Sequence, residues 1–315
     1  MYNKDMKKLS VLLVAALLLS GNAYLPCEAG ILSTQKARIE QNRINKSILN
    51  SVKNVINQQT IFANKYDLKG LKTLYSPNFV NSDGFTKDIY FKLIEETWKT
   101  YPDIAYKTEI KNIEFSDNYA AVLVEESAVA TSQENIGEFI AVGELYSVSK
   151  CIYYLEKQGS KWLISSEKIL EETSSLKYGD ARYVNMELNA PKQTGAGKYY
   201  TATLKVDTPE DAVIVASINK ENIVYPQTKT DEAFRKLPDD NILERFFLSN
   251  TQNVNEYAVA SVGITRAENY SPDQVRVYMG GLAFIMTRVN VIPENKYLKF
   301  DNDEMNKDKD NGKGK

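Results

Sequence analysis

At 315 residues the chain is long enough for two domains of roughly 150 residues each. Its 43% hydrophobic and 25% charged content suits a globular protein that buries its cores without metal or disulfide staples. Thirty-nine basic and 41 acidic residues leave a formal charge of −2 with no long basic run, so no nucleic-acid partner is expected.

The sequence contains no histidine. That excludes Ser-His-Asp and Cys-His catalysis, histidine general bases and every zinc site built on imidazole. Cys27 and Cys151 are too few for a cysteine metal cluster. No metal and no cofactor are expected, and any chemistry falls to carboxylates, tyrosines or lysines.

Lys4, Lys7 and Lys8 precede an apolar run over residues 9–19, followed by Ser20, Gly21 and Asn22. A basic start, a short apolar stretch and small residues form the three-part secretory pattern. The run is too short to cross a bilayer of roughly 30 Å as a helix. Residues 1–29 are therefore expected to be a signal peptide, with Gly30 as the mature start and Tyr24 as the alternative. Export to a periplasmic, envelope-associated or extracellular site follows, with no transmembrane segment after processing.

Over residues 33–66 the apolar positions Ile48, Leu49, Val52, Val55, Ile56 and Phe62 recur at helical spacing. Asp67 caps a short helix carrying Leu68, Leu71 and Leu74. Asn81-Ser82-Asp83-Gly84 signals a turn, and a third helix is expected over 87–100 with Ile89, Phe91, Leu93, Ile94 and Trp98 apolar. The period then switches to two. Strands are expected from Ile104, over 119–131, over 138–156 and over 161–171, the last pair joined by the turn Lys157-Gln158-Gly159-Ser160. Helices over one face of an antiparallel meander make an α+β arrangement.

The residues Phe62-Ala63-Asn64 with Asp67, the run Leu74-Tyr75-Ser76-Pro77-Asn78-Phe79-Val80, Asp83-Gly84-Phe85 and Gly159-Ser160-Lys161-Trp162-Leu163-Ile164 carry a likeness. Through them the chain resembles the nuclear transport factor 2-like (SnoaL-like) superfamily over residues 47–172. The resemblance implies a cone-shaped sheet enclosing a cavity that some members use for catalysis and many only for binding. Many catalytic members end the last strand with a histidine, where this chain has Ser165-Ser166-Glu167-Lys168.

Residues 173–181 are polar and are expected to be a linker. Short strands follow at 184–188, 199–206, 212–218, 242–248, 257–265, 275–278 and 282–291, with turn residues between them. They predict an all-β immunoglobulin-like sandwich over 182–298, without a Cys…Trp…Cys core. Residues 299–315 form a charged tail expected to be disordered.

The cavity candidates are Tyr106, Glu126, Glu144 and Tyr146. A symmetric hairpin about residues 132–137 would set Glu126 opposite Glu144 and Val124 opposite Tyr146, and two facing carboxylates could act as base and acid. The plainer reading leaves both at the wet end of the hairpin. Tyr106 and Tyr146 could orient a ligand through their hydroxyls or simply pack. Cys151 reads as a small buried hydrophobe. The leading expectation is an exported, non-catalytic protein binding a small apolar or mixed-polarity ligand, with a homodimer through the sheet. The alternatives are an isomerase or cyclase using cavity carboxylates and a tyrosine, and a structural envelope component.

Overall fold

The computed structural model describes residues 29–136, 139–227, 232–271 and 274–293. The expected signal peptide, apart from residue 29, and the expected charged tail over 299–315 lie outside the described residues. The chain falls into two compact units, residues up to Ser47 and residues from Ile48 onward. No described helix is long and apolar enough to cross a membrane.

Most of the protein is antiparallel sheet, with few helices. Helix α1 (Ala29–Asn64) carries Val52, Val55 and Ile56 at the spacing of one helical face, and all three are buried. Helix α2 (Leu68–Lys72) is capped by the Asp67 side chain, which accepts from the Gly70 amide at 2.8 Å. Strand β1 (Tyr75–Asn81) and helix α3 (Lys87–Thr100) follow. Then comes the meander: β2 (Ala105–Phe115), β3 (Tyr119–Ile136), β4 (Phe139–Gln158) and β5 (Lys161–Gly179). A 3-10 turn (Asp180–Tyr183) leads to β6 (Met186–Asn189), β7 (Gln193–Gly195), β8 (Tyr199–Val206), β9 (Ala212–Asn222) and β10 (Arg235–Lys236). Strands β11 (Ile242–Leu248), β12 (Glu256–Ser271) and β13 (Gln274–Ile292) complete the order.

One open ten-stranded sheet runs β10-β9-β12-β13-β5-β4-β3-β2, with β1 beside β5 and β7 beside β13; a second sheet is β11-β8-β6. Two apolar cores sit on it. Val52, Ile56, Phe79, Phe91, Val122 and Ile164 belong to the core under the helices. Leu204, Ile214, Ile218, Val262 and Ile285 belong to the core between the two sheets.

The segment 173–181 is not a linker. Strand β5 continues through it to Gly179, pairing with β4 on one side and with β13 on the other, from Thr287↔Thr173 to Gly281↔Gly179. Its polar composition is spent on strand-to-strand bonds: Ser174 donates to Ser147 at 2.7 Å, and the Tyr178 and Ser132 hydroxyls meet at 2.9 Å. Gly179 ends the strand at φ 55°, where a side chain would collide with the Gly280 carbonyl. Native trypsin digestion is therefore expected to leave the Lys177–Tyr178 bond intact while exposed loops are cut. Early cleavage there would contradict the shared strand. The expected separate strands 275–278 and 282–291 are likewise one strand. Ile264 pairs with Gly281 and Thr265 with Met279, so Gly280 is an inserted bulge residue.

A buried ion-pair network joins the two cores. Arg288 of β13 is 0% exposed in its side chain and pairs with Asp83, in the turn after β1, and with Glu172 of β5 at 3.7 Å. Asn255 donates to Asp83 at 2.7 Å, and Tyr257 donates to Glu172 at 2.7 Å.

Candidate functional site

Strand alternation sends Val122, Val124, Glu126 and Ala128 of β3 to the face covered by the helices. On β4 the same face carries Ser147, Ser149, Cys151 and Tyr153. The registers Thr108↔Glu126, Glu126↔Ser149 and Ser149↔Glu172 draw a polar row across four strands. Glu167 joins this face through a β-bulge. Leu155 pairs with Ile164 but Tyr154 with Ser166, so Ser165 is an extra residue and Glu167 lands opposite Tyr153.

A cavity of about 200 Å³ opens between this face and the helices. Leu71, Tyr75, Tyr90, Ile94, Trp98 and Tyr106 wall it, and Gln59, Glu126 and Tyr153 are among the residues at its polar end. Two donor chains converge on Glu126. Thr60 donates to Thr108 at 2.8 Å, and Thr108 to Glu126 Oε1 at 3.2 Å. Gln59 Nε2 donates to the Tyr153 hydroxyl at 2.9 Å, and Tyr153 to Glu126 Oε2 at 3.1 Å. Gln59 Nε2 also donates to Tyr75 at 3.0 Å. Two buried acceptors are left without a partner, Gln59 Oε1 and Glu167 Oε2.

Desolvation dominates the titrations here. Burial and the nearby Glu126 carboxylate push the Glu167 carboxyl up to about 8. Burial raises Glu126 as well, opposed by its hydrogen bonds from Tyr153 and Thr108. The two acids thus divide their roles: Glu126, held by two donors, carries the charge, and Glu167 keeps its proton near neutrality. Burial and the two carboxylates hold the Cys151 thiol far above its ordinary range. Ligating atoms of Glu126, Cys151 and Glu167 lie within 4.8 Å of one another. With the thiol and Glu167 protonated, a cation at this trio would have to displace both protons.

Of the four residues expected at the cavity, Tyr106 and Glu126 line it. Tyr106 accepts from Trp98 Nε1 at 3.2 Å. Glu144 and Tyr146 do not. The register lies five residues further along β4 than expected: Glu126 pairs with Ser149, Val124 with Cys151, and Glu144 with Thr131. Glu144 lies on the outer face, 61% exposed, bound to Arg182 at 3.2 Å, and Tyr146 is 53% exposed. Long strands carried the ladder past the polar residues read as a loop.

Gln59, Tyr153 and Glu167 were not among the expected cavity residues, although Glu167 lies in the Ser165-Ser166-Glu167-Lys168 stretch singled out above. Gln59 carries a signal, since it stands on the apolar stripe of α1 after Val55 and Ile56, where a polar residue calls for a buried partner. Tyr153 alternates with Cys151 and Leu155 and was legible as inward-facing. Glu167 had no such signal, because plain alternation from Trp162 and Ile164 points Ser166 inward instead.

No protein-family model and no curated protein matches the sequence. Solved structures do resemble part of it, all at low similarity. A candidate scytalone dehydratase from Novosphingobium aromaticivorans aligns at 15% identity and TM-score 0.34, over 41% of this chain and 86% of that one. A hexachlorocyclohexane dehydrochlorinase, LinA-type3, from Novosphingobium barchaimii aligns at 12% identity and TM-score 0.32, over 41% and 88%. An NTF2-like protein from Cytophaga hutchinsonii aligns at 11% identity and TM-score 0.28, over 38% and 94%.

Proposed function

We propose that the chain is an exported, non-catalytic binding protein that holds a small molecule in the cavity beneath its helices. One observation carries the reading: two hydrogen-bond chains converge on Glu126 at the polar end of an aromatic-walled cavity, beside an unpartnered Gln59 carbonyl. Apolar walls with a few convergent polar groups are what a small-ligand site requires.

The meander covered by α1–α3 supports reading residues 30–172 as a nuclear transport factor 2-like domain. Strand order supports reading residues 182–298 as an immunoglobulin-like sandwich. The layer β6-β8-β11 matches strands A-B-E and the layer β13-β12-β9-β10 matches G-F-C-C′. Val129, Val142, Tyr146, Val148 and Tyr154 are exposed on the outer face of the meander, which supports reading this face as the contact for a second copy.

A proton-transferring enzyme of the isomerase or cyclase kind is the second reading. It draws on the split between charged Glu126 and protonated Glu167, linked through Tyr153. Binding is preferred because Glu167 reaches the cavity only through Tyr153, which leaves a ligand with one direct carboxylate partner. Native mass spectrometry of the exported protein tests the proposal. A chain beginning at Gly30 with one small molecule bound and chemically unchanged is expected. A chain retaining Met1 argues against export, and an added candidate ligand released in altered form favours the enzyme.

A further inference from the structure

We propose that the cavity selects an organic cation, an amine on a single-ring or similarly sized apolar body, with its ammonium held between Glu126 and the Gln59 carbonyl. The inference rests on the cavity being a ligand site, and it names the ligand's chemistry.

The hydrogen-bond inventory at the polar end sets the direction. Tyr153 has one hydroxyl proton and gives it to Glu126, so Gln59 must meet Tyr153 with its amide NH2. The same NH2 serves Tyr75. Thr60 and Thr108 likewise spend their protons along the chain to Glu126. Tyr153 and Thr108 are committed to Glu126, and beside them stands open acceptor capacity: the spare lone pairs of Glu126 and the whole of Gln59 Oε1. Gln59 is 9% exposed, so water does not serve that oxygen freely, and a buried acceptor left unpaired is costly. At Glu126 and Gln59 Oε1 a carboxylate or carbonyl ligand would meet acceptors, whereas a ligand bringing several N–H donors satisfies both groups.

Charge points the same way. Arg288, the buried cation on this side of the sheet, is engaged by Asp83 and Glu172. Among the described residues Glu126 forms no ion pair. A desolvated carboxylate without a counter-charge is stabilised by a cation far more than by a neutral donor. The walls favour the same guest, because Tyr75, Tyr90, Trp98 and Tyr106 present aromatic rings to a cavity of about 200 Å³, and ring faces attract cations.

The test is calorimetric titration of the full chain at pH 7 with benzylamine, benzyl alcohol and benzoate, three probes of one shape and different charge. Benzylamine is expected to bind at least about tenfold tighter than benzyl alcohol, and benzoate not at all. Glu126→Gln should erase the amine's advantage, and Glu144→Gln, on the outer face, should keep it. The wild-type ranking alone decides the matter if the Glu126 variant folds poorly. Equal binding of amine and alcohol would overturn the cation inference while leaving the cavity reading intact. Failure of all three probes on protein with its native melting transition would overturn both. Binding of Zn2+ or Mn2+ lost in Glu126→Gln, with no response to benzylamine, would overturn it in favour of a metal site at Glu126, Cys151 and Glu167.

Discussion

Replacing Arg288 by Met is expected to lower the melting temperature by on the order of 10 °C. The guanidinium is fully buried and offsets two carboxylates, Asp83 in the turn after β1 and Glu172 on β5. Methionine fills much of the volume but leaves both acids in a dry junction, where removing one partner of a buried pair costs about 3–5 kcal/mol. At roughly 2–4 °C per kcal/mol for a body of this size, the shift is large. Asp83 keeps its hydrogen bond from Asn255 and Glu172 the one from Tyr257, while the counter-charge is lost together with the Arg288 donations to Asp83 and Asn290. Adding Asp83→Asn to Arg288→Met should therefore recover part of the stability, since one stranded charge disappears. Scanning calorimetry of wild type and the two variants reads this directly. A single variant melting within a degree of wild type would show that the pair contributes nothing.

The second large effect has the opposite sign. Glu167 ionises near 4.5 when solvated and near about 8 in the folded protein, through burial and the neighbouring Glu126. Between those values the folded state holds a proton that the unfolded chain has released. The stability this group contributes is complete below about pH 4.5 and is lost as pH rises toward 8. At 1.36 kcal/mol per pKa unit, the loss by pH 7 is about 3 kcal/mol. Glu167→Gln has the shape of the protonated acid and does not titrate. It should match wild type at pH 5 and melt higher by on the order of 10 °C at pH 8. The titratable groups around this carboxyl are Glu126, Tyr153, Cys151, Tyr75, Tyr90, Asp83 and Glu172, and only the acids among them reinforce the trend by repulsion. Parallel melting curves at the two pH values would refute a proton stored at Glu167.

Much of the architecture was legible because burial imposes a period. The helical face of Val52, Val55 and Ile56 and the alternation of Cys151, Tyr153 and Leu155 read directly as inward-facing, and they are buried. Registers were not legible. Glu126 faces Ser149 and not Glu144 because the ladder continues to Ile136↔Phe139, and polar residues such as Gln133 sit comfortably on the solvated face of a strand. Bulges were invisible for a related reason. Ser165 and Leu170 are each one residue too many on β5, a choice made by packing between strands rather than by local propensity, and the first of them brings Glu167 inward. The polar stretch 173–181 misled because composition does not distinguish a solvated linker from a strand whose polar groups bond across the sheet.

The shared strand has a mechanical consequence. Seven residue pairs, from Thr173↔Thr287 to Gly179↔Gly281, hold β5 against β13. Ladder hydrogen bonds lie across the strand direction. A force drawn along β5 is therefore spread over the whole set at once, in shear, and cannot open them one after another as a hinge or zipper would. A tug on β13 therefore reaches the strand bearing Glu167 and Glu172 with little slack.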